Sequence, residues 1–373
     1  MADAPSPPMQ RALALARDLA GRTGPNPAVG AVLVRDGEVI AEGVYRGPGT
    51  PHAELAALAA AGAAARGADA YVTLEPCSHT TARDGTPRNA CAEALVDAGV
   101  ARVVYALDDP DARVSGHGGD RLRAAGIAVE VGDGAAESAR ILEAYLKQRR
   151  TGLPFVTVKY AASLDGRIAA ASGDSRWVSG RDTLRWTHAG RTRIDAIMVG
   201  AATVIIDNPQ LTARPDGVLA ERQPLRIVAD SRGRIAAAAA VLQGPAQTLV
   251  ATTAASAPAW RQAIAATGAE VLVLADDGNG RVSLPDLLAA LGRREVLSLL
   301  VEGGGVLHGS FFDARLVDKL HAVLAPLIIG ASQAPTPVAG HGAERMADAV
   351  RLRDVTVERL GEDVLVTGYP VWP

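Results

Sequence analysis

Pro51-His52-Ala53-Glu54, then Glu75-Pro76-Cys77 after an apolar run, then Cys91: this ordered set decides how the first third of the chain is read. Cys77 and Cys91 are the only cysteines in 373 residues. A hydrolytic zinc centre takes three protein ligands and keeps one position open for water. His52, Cys77 and Cys91 supply those three. Glu54 lies two residues beyond the histidine, so on a helix it points to a different face. It is a poor ligand for the same ion but is placed to carry a proton to and from the water.

The flanking sequence supports this placement. Val29–Val34 and Val39–Tyr45 read as strands around an Asp36-Gly37 turn. Pro51 suits a first helical position, and Leu55, Leu58 and Ala59 continue at helical spacing up to Gly67. Tyr71–Leu74 reads as a strand, which brings Cys77 out near its end. Cys91–Val96 opens a helix that stops near Gly99. A lone histidine is usually surface polarity and a lone cysteine a small buried hydrophobe, so the ordered set carries the reading. An H-x-E…P-C pattern whose glutamate is not a ligand is the arrangement of zinc nucleobase deaminases.

Composition narrows the substrate. A net charge of −3 and 3% aromatics lack the basic footprint and stacking platforms of a nucleic-acid binder, so a small molecule is expected and no nucleic acid. No apolar run reaches the roughly 18 residues of a membrane span, and residues 1–10 show no secretory pattern. Two cysteines fit a reducing, cytoplasmic setting. The length predicts two domains, with the boundary at Thr151–Pro154: residues 1–150 and 151–373.

Beyond that boundary, apolar strands at Phe155–Tyr160, Ala196–Gly200, Leu225–Ala229, Thr248–Thr252, Val271–Leu274 and Leu297–Val301 alternate with helical stretches. This is the rhythm of an α/β domain with a largely parallel sheet. His321–Ala325 and Val364–Gly368 add late strands and predict antiparallel pairing at one edge. Leu299–Glu302, Gly303-Gly304-Gly305 and a helix over Val306–Leu316 form a strand, glycine loop and helix N-terminus, which is an anion site. The glycine spacing is not that of a Rossmann fingerprint.

Pro25-Asn26-Pro27-Ala28-Val29-Gly30, Pro51–Glu54, Leu74–His79, Lys159–Gly166, Asp207–Thr212 and Val301–Gly304 occur in one order over nearly the whole chain. In this the chain resembles the bifunctional deaminase–reductases of riboflavin biosynthesis. The resemblance implies an α/β protein with an N-terminal cytidine-deaminase-like three-layer domain and a C-terminal dihydrofolate-reductase-like domain. It implies zinc-dependent hydrolytic deamination of a phosphorylated pyrimidine, followed by NADPH-dependent reduction of its ribosyl chain to ribityl. It assigns zinc to His52, Cys77 and Cys91 and proton transfer to Glu54. It puts Ala161, Trp177, Thr203, Asp207 and Ser231 near NADPH, with Gly304, Gly305, Val306, Leu307, His308, Gly309 and Ser310 around its phosphates. Ser175, Arg191, Leu211, Arg214 and Glu302 would contact the substrate; arginine forks suit its 5′-phosphate. No membrane partner is expected, and a homo-oligomer is.

The segment between Cys77 and Cys91 is longer than in that family and carries Asp84-Gly85-Thr86-Pro87-Arg88-Asn89 where the family ends in Gly-Arg-Thr-Pro-Pro-Cys. It leaves room for His79 as a competing ligand. Two rivals stand beside the main reading: a reductase whose zinc module is structural, and a binding protein reusing both folds. Glu54 argues against the first, since a closed structural site needs no positioned carboxylate. Retention of both catalytic constellations argues against the second.

Overall fold

The computed structural model describes residues 4–81, 89–111 and 114–373. The chain forms two compact units, Met1–Gly152 and Leu153–Pro373. In the first, chain order is α1 (Pro7–Leu19), β1 (Gly30–Arg35), β2 (Glu38–Val44), α2 (Ala53–Ala61), β3 (Asp69–Val72), α3 (Cys91–Ala98), β4 (Arg102–Tyr105), α4 (His117–Ala124), β5 (Ala128–Val131), α5 (Ala135–Ile141) and α6 (Glu143–Thr151).

Among the described residues this unit has one sheet, ordered β2-β1-β3-β4-β5. β1 is antiparallel to β2 and β3, and β3, β4 and β5 run parallel. Alternation along β1 sends Ala31 and Leu33 to one core and Val32 and Val34 to the other, as the two-residue period of a strand requires. α1 covers the second face with Met9, Ala12, Leu13 and Ala16, one apolar stripe. α2 lies so close to β2 that a Cβ on Gly43 would run into the Ala53 carbonyl.

Three local expectations need correction. Pro51 lies outside α2, because His52 is the N-cap. The helix expected up to Gly67 gives way at Gly62 to a 3-10 turn, since Gly62 takes a φ of 55°. β3 ends at Val72 rather than Leu74, so Cys77 sits in the following loop.

The second unit runs β6 (Phe155–Ser163), α7 (Arg181–Arg191), β7 (Ala196–Gly200), α8 (Ala201–Asp207), β8 (Leu225–Ala229), β9 (Thr248–Thr252), α9 (Pro258–Ala265), β10 (Glu270–Val273), α10 (Leu284–Arg293), β11 (Ser298–Val301), α11 (Gly305–Asp313), β12 (Lys319–Ala325), β13 (Arg351–Leu360) and β14 (Asp363–Val371). Its sheet is ordered β10-β9-β8-β7-β11-β6-β12-β14-β13. The strands from β10 to β12 are parallel, and β14 and β13 close one side as an antiparallel pair. Both faces are covered: Met198, Leu287, Leu291 and Phe311 pack on one, Ile197, Val199, Val228 and Ile264 on the other. That is why these strands read as unbroken apolar runs. β13 has no apolar run of its own, is exposed along most of its length, and was not anticipated.

The chain leaves β7 toward β8 and leaves β11 toward β12, on opposite sides. β7 and β11 are neighbours, so this is the point where connections diverge, and a crevice opens there at the carboxyl ends of the strands. α8 and α11 start directly at it, with Gly200 and Gly304 as N-caps.

Candidate active sites

In the first unit, His52 at the head of α2 and Cys91 at the head of α3 meet the loop after β3. His52 Nδ1 is 3.4 Å from Cys91 Sγ and 3.8 Å from Cys77 Sγ, and all three ligand atoms lie within 4.8 Å of one another. Tetrahedral zinc with ordinary Zn–S and Zn–N bonds sets an S···N edge of about 3.6 Å, so the donor set fits zinc. The Cys91 N–H donates to Cys77 Sγ at 3.4 Å, which orients that sulfur. Asn26 of the Pro-Asn-Pro stretch donates to the Tyr45 hydroxyl, and the Tyr45 ring meets the His52 ring edge-on.

Glu54 is buried beside this cluster, and burial pushes its carboxyl above the ordinary range. It is not one of the three clustered ligands. Glu75, two residues before Cys77, has no role assigned from the sequence. Its carboxylate accepts N–H bonds from Asp109, Gly116, Gly118 and Gly119 and so anchors the loop before α4 to the cysteine segment. His79 does not join the cluster. Residues 84–88 of the lengthened segment lie outside the described residues.

In the second unit a cavity of about 830 Å³ fills the crevice, within the ordinary range for small-molecule sites. Of the residues assigned to cofactor, Ala161, Thr203, Asp207, Ser231, Gly304, Gly305, Val306, Leu307 and Ser310 line it. Of those assigned to substrate, Ser175, Arg191, Leu211 and Glu302 line the same space. Four assigned residues do not. Trp177 stands 71% exposed. His308 is fully buried, with Nδ1 against the Pro337 carbonyl at 2.8 Å. Gly309 packs where a Cβ would overlap the Ala339 carbonyl. The Arg214 side chain turns to Gln210, and its backbone N–H donates to His188 Nδ1.

Lys159, midway along β6 and first in the Lys159–Gly166 motif, also faces the cavity. A lysine inside an otherwise buried central strand was the signal available for it. Burial lowers its ammonium pKa, with Glu302 opposing and Arg191 adding to the shift. Burial alone would raise the Glu302 carboxyl, but Arg191 and Lys159 together outweigh it and hold it below the ordinary range.

Against known proteins, residues 154–366 match the model of the RibD C-terminal domain, and residues 6–107 match the cytidine and deoxycytidylate deaminase zinc-binding region. Riboflavin biosynthesis protein RibD of Bacillus amyloliquefaciens is 39% identical over 97% of this chain and 95% of its own. The chain belongs to the RibD family. RibD of Escherichia coli is likewise 39% identical, over 95% of this chain and 96% of its own. Among solved structures, RibD of Acinetobacter baumannii superposes with a TM-score of 0.86 at 36% identity, covering 98% of each chain. A deaminase/reductase from Thermotoga maritima gives 0.82 at 33%, again over 98% of each chain. The RibD architecture pairs a zinc-binding deaminase unit with a reductase unit that uses NADPH. Among the described residues, no helix is long and apolar enough to cross a membrane.

Proposed function

We infer that this chain performs two successive steps of riboflavin biosynthesis, the deaminase and reductase activities for which its Thermotoga relative is named. The first removes an amino group from diaminohydroxyphosphoribosylaminopyrimidine, and the second reduces 5-amino-6-(5-phosphoribosylamino)uracil. The observation that carries this is the buried Glu54 beside the His52, Cys77 and Cys91 cluster, in one chain with a separate dinucleotide-sized cavity.

When bound, zinc activates a water toward the amino-bearing ring carbon and NADPH supplies a hydride to the sugar. His52, Cys77 and Cys91 hold the metal. Glu54 would take one proton from the attacking water and give it to the ring nitrogen, then take the second from the added hydroxyl and give it to the departing amine, which leaves as ammonia. In the second unit, the first N–H groups of α8 and α11 have no intrahelical acceptor and would be free to meet the cofactor's phosphates. Ala161, Thr203, Asp207 and Ser231 position the rest of the cofactor.

Glu302, held below the ordinary carboxylate range by Arg191 and Lys159, and the Lys159 amine place an acceptor and a donor on one wall of the cavity. Arg191 and Arg214 are the cations assigned to the 5′-phosphate. Arg191 lines the cavity while holding Glu302, and Arg214 would have to leave Gln210 to join it. Trp177 stands outside the cavity lining, and His308 and Gly309 act by seating α11.

The two thiols at the zinc site support a reducing, cytoplasmic location. The open edge of β13, with Val355 and Val357 exposed, supports a homo-oligomer; light scattering on the purified chain checks this.

Supplying the diaminopyrimidine phosphate to purified protein, with ammonia and NADPH followed separately, tests the whole reading. Ammonia release without NADPH, and NADPH oxidation only once deamination has run, are expected. NADPH oxidation with the deaminated compound but no ammonia release from its precursor would leave a reductase carrying a structural zinc module.

A further inference from the structure

The cavity continues past the two helix N-termini to the end of β8. Asp230 follows that strand, where an NAD site keeps an acidic residue for the ribose hydroxyls. Here Asp230 is fully buried and accepts the Arg234 and Ile235 N–H groups on Oδ2, at 2.6 and 2.8 Å. It closes its own turn, stays out of the cavity lining, and sets its Oδ1 3.8 Å from Arg234 Nε. Ser231 and Arg234 face the cavity instead.

The opposite wall is the turn closed by the Asp276–Val282 bridge, and Arg281 enters the cavity from it. Arg281 Nη1 donates to Ser310 Oγ on α11 at 3.1 Å. The Val282 N–H donates to Ser231 Oγ at 2.9 Å, which ties the two segments together and leaves the serine hydroxyl proton to donate elsewhere. The Arg232 guanidinium lies against Gly280, 3.6 Å from where a Cβ would stand. Two carboxylates share this wall, and both are engaged. Asp277 accepts the Asn279 and Arg281 N–H groups; Asp313 accepts from the His341 backbone and from Gly342, and its Oδ2 lies 3.1 Å from His341 Nδ1.

We propose that Arg281, with Arg234 and Ser231, takes the 2′-phosphate of NADPH, and that Arg281 is the residue through which the chain chooses NADPH over NADH. The proposal rests on the reading that this cavity binds a nicotinamide dinucleotide. The lining runs from the start of α11 to Ser231 and Arg234 after β8, so a dinucleotide whose pyrophosphate met α11 would carry its adenosine ribose toward that end. A phosphate there meets guanidinium forks from two walls, the bidentate geometry for which arginine is suited. Among the described residues, the one side-chain bond of Arg281 is to a neutral hydroxyl, so most of its donors are free for the phosphate.

The test measures direct binding to the full chain by calorimetry, for NADP⁺, NAD⁺, 2′,5′-ADP and 5′-AMP, in wild type, Arg281→Gln and Arg281→Lys. Arg281→Gln is expected to weaken NADP⁺ and 2′,5′-ADP by roughly 10- to 100-fold, the range of a charge-assisted contact, with NAD⁺ and 5′-AMP within about twofold. Arg281→Lys keeps the charge without the fork and falls between. Equal weakening of all four would assign Arg281 to seating α11 through Ser310, and unchanged affinities would remove it from the site; either overturns the proposal. Wild-type protein that binds neither dinucleotide would overturn the underlying cofactor reading itself.

Discussion

Arg191 Nη2 donates to Glu302 Oε2 at 2.7 Å, with side chains only 13% and 12% exposed, so an ion pair forms part of the wall of the second cavity. Removing one partner of such a buried pair typically costs about 3–5 kcal/mol, because the other charge is left uncompensated. Arg191→Met is expected to lower the stability of the Leu153–Pro373 unit by about 3 kcal/mol and to impair reduction, while ammonia release stays near normal. Separate assays of the two activities, with calorimetric melting, check this. Equal loss of both activities in folded protein would contradict independent sites.

Glu54→Gln should stop deamination and leave zinc bound. Glutamine keeps the shape and hydrogen-bonding reach but cannot carry the proton, and general acid–base catalysis is worth about 100- to 10,000-fold. Metal analysis should still find about one zinc per chain, whereas Cys91→Ser lowers the zinc content. Loss of zinc from Glu54→Gln would make the carboxylate a ligand and sink this mechanism.

Gly304 and Gly309, five residues apart, behave differently in the fold. A Cβ on Gly304 meets nothing, while one on Gly309 overlaps the Ala339 carbonyl. Gly309→Ala should therefore destabilise the second unit by about 1–3 kcal/mol, the usual cost of overpacking. Gly304→Ala should melt like wild type yet bind NADP⁺ more weakly, because its methyl enters the cavity. Matching melting curves for both variants would refute the distinction.

His321 gives the second unit an acid limit. Nδ1 lies 2.9 Å from Thr367 Oγ1 and the ring meets Trp186 edge-on; burial, with Lys319 and Lys159 nearby, lowers its pKa to about 3. An imidazole depressed in the folded state contributes stability that is complete above its ordinary value of 6.5 and is lost as pH falls from there toward 3. The full loss is on the order of 5 kcal/mol. His321→Gln should flatten the decline of melting temperature across that window; an unchanged slope would assign the acid sensitivity to other groups.

The metal cluster was legible because its chemistry is local: His52, Cys77 and Cys91 are rare residues set by the heads of two helices and one loop, and spacing alone brings them near. The central parallel strands were legible because burial on both faces leaves apolar runs. β13 was not, since an exposed edge strand carries no such pattern. Nor could periodicity reveal that Arg191 pairs with Glu302, or that Arg281 reaches Ser310 from another turn, because those partnerships depend on which strands lie side by side. The three-glycine stretch read as one phosphate loop, but Gly305, like Gly309, is needed for close packing against the segment at Thr336–Ala339.

β6 opens the second unit in sequence yet lies in the interior of its sheet, flanked by β11 and β12. During synthesis it therefore has no strand to join until residues 298–325 have left the ribosome. The sheet of the first unit, by contrast, is complete by Val131. Long-range parallel pairing folds slowly and leaves apolar edges open meanwhile. Refolding should thus be biphasic, with the N-terminal unit recovering first and the C-terminal unit depending on chaperones while Phe155–Ser163 waits for its neighbours.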